Sequence, residues 1–275
     1  MASAGTHPSS ALNDSASVSL GPESVGLKFS LVLATIGRTD ELSNFLEHLD
    51  RQSYRNFELI IVDQNPNDRL QPVLGPFVDR LTIKHLRSGK GLSRARNVGL
   101  QHVSGDVVTF PDDDCWYQST TLQEVATMLS NHPEWAGVTG RCNAPRAFHF
   151  LDQNSGFLSK TNVLRRSTSV TIFLRSSAVE AAGDFDELLG AGADSGLASA
   201  EDADYVLRVL EHDTRIWYEP NLLIEHPDAS PVYDGAASAR GHAYGLGMGY
   251  MLRKHDFPLW YVGYMLLRAA GGGVL

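Results

Sequence analysis

Short apolar runs alternate with amphipathic stretches along most of the chain, beginning at Lys28. The runs are rich in β-branched residues, which is typical of buried strands, and the stretches between them repeat apolar residues at helical spacing, as Leu42, Phe45 and Leu49 do. This alternation predicts an α/β fold with a mostly parallel sheet flanked by helices. Strands are expected at residues 29–34, 58–62, 81–85, 106–110, 137–139, 169–174, 215–218 and 222–225, and helices at 40–52, 93–103, 122–130 and 200–211.

The two ends of the chain lie outside this alternation. Residues 1–26 are rich in Ser, Ala and Gly without apolar periodicity, and they lack the basic start and apolar core of a signal peptide, so they are expected to form a disordered extension. One domain is expected at residues 27–230, followed by a helical extension at 231–275. The longest apolar stretch of that extension, 257–267, is interrupted by Pro258 and Gly263. It is shorter than the roughly 18 apolar residues that indicate a membrane span.

Composition narrows the class of protein. The chain has 275 residues, of which 43% are hydrophobic and 20% charged, which is too apolar for a disordered chain and suits a single domain with a core. Its two cysteines, Cys115 and Cys142, cannot build a disulfide framework or a cysteine zinc site. Their number favours a reducing, cytoplasmic setting.

Charge is distributed unevenly along the chain. The net charge is −9, yet residues 231–275 carry four basic and two acidic residues, which leaves −11 for residues 1–230. An acidic chain lacks the basic face that nucleic-acid phosphates require, so no nucleic-acid partner is expected. The basic tail also interleaves aromatic residues with Arg, a composition typical of an interfacial segment. Peripheral contact with the inner face of a membrane, packing on the preceding domain and contact with a second subunit in a homodimer all stay open.

Three adjacent carboxylates, Asp112, Asp113 and Asp114, follow the predicted strand at 106–110. Because adjacent carboxylates repel one another, a folded protein tolerates them where a hard cation neutralises them or where water solvates them fully. Mg²⁺ and Mn²⁺ prefer oxygen ligands and often bind one or two carboxylates together with substrate phosphates. A solvated acidic turn is the alternative, but the triplet lies between an apolar strand and two aromatic residues, which favours a metal site.

A second acidic cluster is the pair Glu201 and Asp202, which begins the predicted helix at 200–211 and follows the glycine-rich residues 189–193. Acidic residues at a helix start also complement the helix dipole, and that explanation accounts for one or two carboxylates. A glycine loop beside them suits close approach to a ligand, so one of these carboxylates is a candidate general base for a substrate hydroxyl.

Three other segments carry weaker signals. His226 follows the predicted strand at 222–225 and is a candidate metal ligand, although a single histidine is more often structural. Residues 89–97 form a glycine loop followed by the start of a basic helix, and such a helix start can hold a diphosphate. The segment lacks the Walker and Rossmann spacings, and a solvated helix end is the alternative interpretation. Residues 245–249 are also glycine-rich, but they do not follow a strand and are not expected to bind phosphate.

Taken together, these segments resemble a family 2 glycosyltransferase of the GT-A fold over about residues 29–228. The motifs occur in the family's order. Residues 30–38 resemble its first strand and nucleotide loop, 52–63 its second block, and 91–99 the helix before the metal strand, while the Asp triplet resembles the DxD motif and Glu201-Asp202 the acidic pair that supplies the base. The resemblance implies a Rossmann-like, mostly parallel sheet flanked by helices, with a C-terminal helical extension.

The resemblance also implies a site for a nucleotide-diphosphate sugar. Asp63 would contact the base. In this sequence Gln64, Asn65 and Pro66 replace the second acidic residue and the Gly-Ser turn that the family often has there, which leaves UDP, dTDP and GDP open. The residues implied in donor binding are Thr35, Arg38, Asp63, Gly91, Arg94, Arg96, Asp112 and Asp113.

Metal binding and catalysis are implied for residues of the two acidic clusters. Asp114 would be the most direct metal ligand, and Asp112 and His226 would complete a site for Mn²⁺ or Mg²⁺. Asp202 would be the catalytic base, with Glu201 as the second candidate. The glycine loop, residues 190–199, would be mobile and close over donor and acceptor.

The implied function is an inverting, metal-dependent glycosyltransferase of the kind that builds bacterial polysaccharides or modifies lipid-linked sugars and natural products. A glycan, a lipid-linked saccharide and a small molecule all stay open as acceptors. A sugar nucleotidyltransferase is one alternative, but it would normally show a glycine and basic loop after the first strand, which residues 35–38 match poorly. A non-catalytic nucleotide-sugar binding protein is the other, and the presence of both acidic clusters argues against it.

Overall fold

The computed structural model describes residues 26–143, 152–212, 214–227 and 235–271, so the extension predicted at 1–26 lies almost wholly outside the described residues. The strands are β1 (Phe29–Thr35), β2 (Phe57–Asp63), β3 (Ile83–Arg87), β4 (Val107–Thr109), β5 (Trp116–Tyr117), β6 (Gly137–Asn143), β7 (Gly156–Phe157), β8 (Ile172–Arg175) and β9 (Ile216–Glu225). The helices are α1 (Asp40–Asp50), α2 (Gln71–Leu74), α3 (Leu92–Leu100), α4 (Thr121–Asn131), α5 (Val163–Arg166), α6 (Ser176–Ala182), α7 (Glu201–Leu210), α8 (Gly235–Lys254) and α9 (Leu259–Gly271).

These strands form one sheet in the order β3-β2-β1-β4-β8-β6-β9-β5, with β7 paired to β9. The first four strands in this order are parallel, as are β6 and β9, whereas β8 is antiparallel to both of its neighbours. The predicted α/β fold with a mostly parallel sheet flanked by helices is therefore confirmed. Because β1, β2, β4 and β9 end at the same edge, the side chains that follow them meet there, which is where open α/β sheets bind ligands.

Helices cover both faces of the sheet, which explains why its central strands consist mostly of apolar residues. In β1, Leu31 and Leu33 pack into the layer that contains Phe45 of α1, and Val32 packs into the opposite layer with Val206 of α7. A strand that is buried on both faces cannot alternate apolar and polar residues. The sequence pattern of β1, β2 and β4 follows directly from this position.

Several elements depart from the pattern-based prediction. The two strands expected at 215–218 and 222–225 are one strand, β9, whose register against β6 shifts between Thr139 and Arg141. Pro220 lies in the part of β9 opposite this shift, and a proline is tolerated at such an irregularity because no ladder hydrogen bond is required of it. Residues 169–171, expected as the start of a strand, form a 3₁₀ turn before β8. The short elements α2, α5, α6, β5 and β7 are too brief to show a period in the sequence.

A buried ion-pair network joins the end of helix α8 to helix α7. Asp204 of α7 is fully buried, and its carboxylate lies 2.8 Å from Lys254 Nζ and 2.9 Å from His255 Nε2, at the end of α8. Burial disfavours the charged form of Asp204, but these partners together with Arg208 outweigh it and lower the pKa of Asp204 to about 2. Since a buried charge without its partner is strongly destabilising, the network fixes α8 against the helix that begins with the acidic pair.

Candidate active site

The Asp triplet lies beside the end of β1. Asp112 forms an isolated parallel bridge with Ala34, which places the triplet's backbone against that strand. Asp113 is buried and accepts hydrogen bonds from Thr35 Oγ1 at 2.6 Å and from Arg38 Nη1 at 2.7 Å. Burial raises the pKa of Asp113, although both partners act in the opposite direction. Thr35, Arg38 and Asp113 are thus brought together as the sequence predicts, and they hold one another in place.

Asp112, Asp114 and His226, the three predicted metal ligands, come together at the ends of β4 and β9. One potential ligand atom from each lies within 4.8 Å of the other two, and His226 Nε2 is 3.3 Å from Asp114 Oδ1. Burial alone would raise the pKa of Asp114, but His226 and Arg38 outweigh it and lower that pKa. The hydrogen bond with Asp114 in turn raises the pKa of His226.

This donor set fits a small divalent cation. Metal–oxygen bonds of about 2.1 Å place neighbouring ligands of an octahedral ion about 3–4 Å apart, so modest side-chain movements would bring the three atoms into range. Carboxylates suit Mg²⁺ and Mn²⁺, whereas an imidazole nitrogen is a ligand typical of first-row transition metals. Two carboxylates with one imidazole therefore favour Mn²⁺ over Mg²⁺.

Arg96 lies beneath the acidic clusters, where a donor would not reach it. Its side chain is 1% exposed, and Nη2 lies 3.2 Å from Asp112 Oδ1 while Nη1 lies 3.4 Å from Glu201 Oε1. The guanidinium packs over the neighbouring rings of Phe110 and Phe185, whose centroids lie 5.9 and 5.4 Å from its central carbon. The donor contact expected of Arg96 is not what this geometry offers, because a buried guanidinium needs its internal carboxylates. Instead Arg96 links the metal-ligand cluster to the acidic pair.

The acidic pair begins α7, and both of its side chains line the same cleft as the Asp triplet. Burial and the neighbouring Asp202 raise the pKa of Glu201 to about 7, although Arg96 acts in the opposite direction. Asp202 Oδ2 accepts a hydrogen bond from Ser169 N at 3.0 Å, and Oδ1 accepts one from Ala203 N at 2.7 Å. These two amides orient the carboxylate, and each oxygen keeps a second lone pair for a substrate proton.

Asp63 follows the prediction in its position at the end of β2, but its carboxylate is enclosed. It is fully buried, and Oδ1 accepts hydrogen bonds from the backbone and side-chain nitrogens of Asn65 at 2.8 and 2.7 Å. Oδ2 lies 3.0 Å from His85 Nε2 and 3.1 Å from Arg87 Nη1. A contact between Asp63 and a nucleotide base would require these partners to move. The next residue, Gln64, lines the cleft and accepts a hydrogen bond from Gly91 N.

The glycine loop before α3 presents Lys90 to the cleft, whereas Arg94 is turned to the rim. Arg94 pairs with Glu187 and Asp194, both well exposed, so its predicted donor contact is not part of the cleft as it stands. Lys90 lines the cleft and forms no ion pair within the part of the chain that the structure describes. Gly91 has a φ of 130°, which strongly favours glycine at the start of α3.

A cleft of about 600 Å³ lies at the carboxyl edge of the sheet and is lined by Arg38, the Asp triplet, the acidic pair and His226. The residues of the sequence-based set that do not line it are Thr35, Asp63, Gly91, Arg94 and Arg96. Its lining also contains polar side chains from outside that set, among them Gln64, Lys90 and Tyr244. Lys90 stands between two glycines in the predicted diphosphate loop and was open to prediction. Gln64 and Tyr244 were not, because their place in the cleft depends on how α3 and α8 pack.

The loop at residues 190–199 is hydrogen-bonded on both sides, to α3 and to α8. Leu92 N donates to Ala191 O at 2.9 Å, and Ser199 Oγ donates to Tyr244 O at 2.8 Å. Gly247 of α8 packs so closely on this loop that an added Cβ would lie 2.6 Å from Ser199 O. The glycine-rich residues 245–249 lie within α8, and one of them, Gly247, allows α8 to pack against this loop at the wall of the cleft.

Replacing Gly247 with Ala is expected to destabilise the protein by about 1–3 kcal/mol, because the new methyl group meets backbone atoms that must shift. Gly245→Ala and Gly249→Ala are matched controls on the same helix, since nothing lies within 4 Å of either Cβ position. Both controls should leave stability unchanged or raise it by up to about 1 kcal/mol, because Ala favours helix. Urea unfolding of the three variants measures the difference, and equal stability of all three would contradict the close contact.

Residues 30–179 match the sequence profile described as glycosyl transferase family 2. The chain is 28% identical over 199 residues to the pre-mycofactocin glycosyltransferase of Mycobacterium tuberculosis, which covers 67% of this chain and 40% of that protein. It is 27% identical over 199 residues to glycosyltransferase AglE of Haloferax volcanii, covering 67% of this chain and 64% of that one. The chain therefore spans about 40% of the first relative's length and just under two thirds of the second's.

Solved structures share the fold at low sequence identity. The mannosyltransferase PcManGT of Pyrobaculum calidifontis, in complex with GDP-Man and Mn²⁺, superposes with a TM-score of 0.64 at 16% identity, over 84% of this chain and 65% of that chain. TarS of S. aureus in complex with UDP-GlcNAc gives a TM-score of 0.63 at 16% identity, over 89% of this chain and 75% of that chain.

Proposed function

Because the chain belongs to glycosyl transferase family 2, we propose that it is a glycosyltransferase. It would transfer a sugar from a nucleotide-diphosphate sugar to an acceptor hydroxyl, with inversion and with the help of a divalent cation. The observation that carries this proposal is one cleft that holds both the cluster of Asp112, Asp114 and His226 and the acidic pair Glu201 and Asp202. A cation site beside a carboxylate base is the combination that such a transfer needs.

The donor's diphosphate would lie against the Asp triplet. Asp112, Asp114 and His226 would hold the ion, for which this ligand set favours Mn²⁺. When bound, a divalent ion offsets the negative charge that develops on the diphosphate as it leaves. Lys90 and Arg38 line the same cleft and add positive charge on the protein side. The nucleotide sugars bound by PcManGT and TarS support this class of donor.

The acceptor hydroxyl would be activated by Asp202. The oxygen of the acceptor hydroxyl forms a bond to the anomeric carbon while the bond from that carbon to the diphosphate breaks. The hydroxyl proton passes to the Asp202 carboxylate. The nucleoside diphosphate leaves with the electron pair of the broken bond. Because this is a single displacement, the configuration at the anomeric carbon inverts. Glu201, paired with Arg96, lies beside Asp202 and is the second candidate for the base.

The acceptor is proposed to be a saccharide. Tyr244 stands at the wall of the cleft beside Ser199, is about half exposed, and offers an aromatic face on which a sugar ring can pack. The similar protein WfgD of Escherichia coli, 25% identical over 152 residues that cover 50% of this chain and 60% of that protein, is described as a glucosyltransferase that uses UDP-Glc and a diphosphoundecaprenol-linked GlcNAc. That description supports a lipid-linked saccharide as the first acceptor to assay.

A screen of nucleotide sugars tests the proposed reaction. The protein is incubated with UDP-, dTDP- and GDP-sugars, a panel of saccharide acceptors and Mn²⁺, and release of the nucleoside diphosphate is measured. We expect one nucleotide series to be consumed, EDTA to stop the release, and excess Mn²⁺ to restore it more fully than Mg²⁺. Absence of binding and turnover with every series, or turnover that EDTA does not change, would contradict the proposal.

A further inference from the structure

Helix α9 has a large apolar surface that no described part of the chain covers. Leu259, Trp260, Leu266 and Leu267 are between 65% and 87% exposed. At about 100° of rotation per residue, these four side chains fall within an arc of about 120° on one side of the helix. They are called the α9 face below. Soluble proteins rarely expose a contiguous apolar surface of this kind unless it binds something.

The other side of α9 is apolar as well, because it packs on the protein. Tyr261 is buried, and Val262 and Met265 pack against the same core layer as α7. An amphipathic surface helix would be polar on its outer side. Here the outward residues are as apolar as the inward ones, so packing on the domain does not account for them.

We propose that the α9 face docks on the surface of an anionic lipid bilayer. None of the described helices is long and apolar enough to cross a membrane, so α9 would lie in the interface plane with the apolar side chains among the lipids. Trp260 is the side chain best suited to the headgroup level, because its ring is apolar with one polar N–H. Docking by this face does not depend on the proposed reaction.

Charge on the same segment complements an anionic surface. The chain is acidic overall, yet residues 231–275 carry +2. Arg253 of α8, six residues before α9 begins, is exposed and pairs with no carboxylate within the described residues. Basic side chains near a bilayer surface attract acidic headgroups. The apolar face and the basic charge of this segment therefore favour the same partner.

The size of the α9 face argues against a second copy of the chain as its main partner. Helix α9 has 13 residues, and four large apolar side chains form its outward side. A stable protein interface involves about 20–30 residues on each partner. A bilayer sets no such minimum, because each side chain inserts separately and contributes in proportion to its own apolar area.

Vesicle flotation of the full chain tests the proposal. The vesicles contain phosphatidylcholine alone or phosphatidylcholine and phosphatidylglycerol in equal parts. The double variant Leu259→Ser with Leu267→Ser changes two side chains that are already mostly in water, so its fold should be kept. Val78→Ser is the matched control, because Val78 is 58% exposed and lies outside α9. Light scattering on the same samples gives the oligomeric state, and circular dichroism checks the fold.

We expect the wild type and Val78→Ser to float with the anionic vesicles, and the double variant to be recovered there at least tenfold less. Flotation of all three proteins should fall with neutral vesicles, because these carry no net negative charge. It should also fall at high salt, because salt screens the attraction between the basic side chains and the anionic headgroups. Absence of wild-type flotation, or equal flotation of the double variant, would overturn the proposal. A wild-type dimer that the double variant converts to a monomer, without flotation, would assign the face to a second copy instead.

Discussion

Replacing Asp202 with Asn is expected to lower sugar transfer by about 10²- to 10⁴-fold, because the amide cannot take the acceptor's proton. The amide oxygen can still accept the hydrogen bond from Ser169 N, the longer-range of the two that orient the carboxylate, while the bond from Ala203 N is lost. The side chain should therefore stay close to its place. Donor binding should therefore be retained, since the cation ligands are on other residues. Turnover by nucleoside diphosphate release and donor affinity by calorimetry measure the two effects separately.

Two companions make this result decisive. Asp194→Asn is the matched control, because Asp194 is exposed on the loop at residues 190–199 and its partner, Arg94, lies at the rim of the cleft. It should leave turnover within about twofold of the wild type. Glu201→Gln tests the second candidate, and a larger loss in this variant than in Asp202→Asn would move the role of base to Glu201. Full turnover of Asp202→Asn would remove Asp202 from the chemistry.

The sequence pattern could predict which residues meet at the carboxyl edge of the sheet, because the strands that end there are easy to recognise. Strands β1, β2 and β4 are buried on both faces and therefore consist mostly of apolar residues. Asp114 comes soon after β4, and His226 directly follows β9, in which buried and partly exposed residues alternate. Parallel strands end at the same edge of the sheet. The approach of Asp114 and His226 in space thus follows from topology, which a sequence pattern can indicate.

Burial of individual side chains was not open to prediction in the same way. Arg96 occurs in a loop and helix that suit a diphosphate, but its guanidinium is buried against the rings of Phe110 and Phe185, and Phe185 lies far along the chain. Asp63 stands at the expected strand end, and His85 and Arg87 of the next strand enclose its carboxylate. Each of these contacts depends on tertiary packing, and spacing within one motif carries no information about it.

The role of α8 likewise depends on tertiary packing that composition does not reveal. Composition set the C-terminal segment apart as basic and aromatic, and three roles stayed open for it. The structure adds that α8 closes one side of the cleft through Gly247 and Tyr244 while Lys254 and His255 hold it to α7. The segment therefore packs on the domain and contributes to its site, and the four most exposed large apolar side chains among the described residues all belong to α9.

Replacing Asp114 with Ala is expected to abolish binding of the divalent cation, and with it the cation-dependent binding of the donor. Loss of a residue that merely supports a ligand costs about 10- to 100-fold in metal affinity, so loss of a ligand should cost more than about 100-fold. Mn²⁺ titration of the protein without donor, followed by calorimetry, measures this directly. Donor binding in the presence of EDTA should be the same in the variant and in the wild type.

Controls for this variant separate the cation site from general acidity and from folding. Asp68→Ala removes another acidic side chain whose partner, Arg87, lies away from the cluster, and it should bind Mn²⁺ normally. His226→Ala should weaken Mn²⁺ more than Mg²⁺, because the imidazole is the ligand that favours the transition metal. If Asp114→Ala binds Mn²⁺ as tightly as Asp68→Ala does, the cation is held elsewhere. Because the three ligands follow the ends of two strands, β4 and β9, a matching loss in Asp114→Ala and His226→Ala would also verify that these strand ends come together at one edge of the sheet.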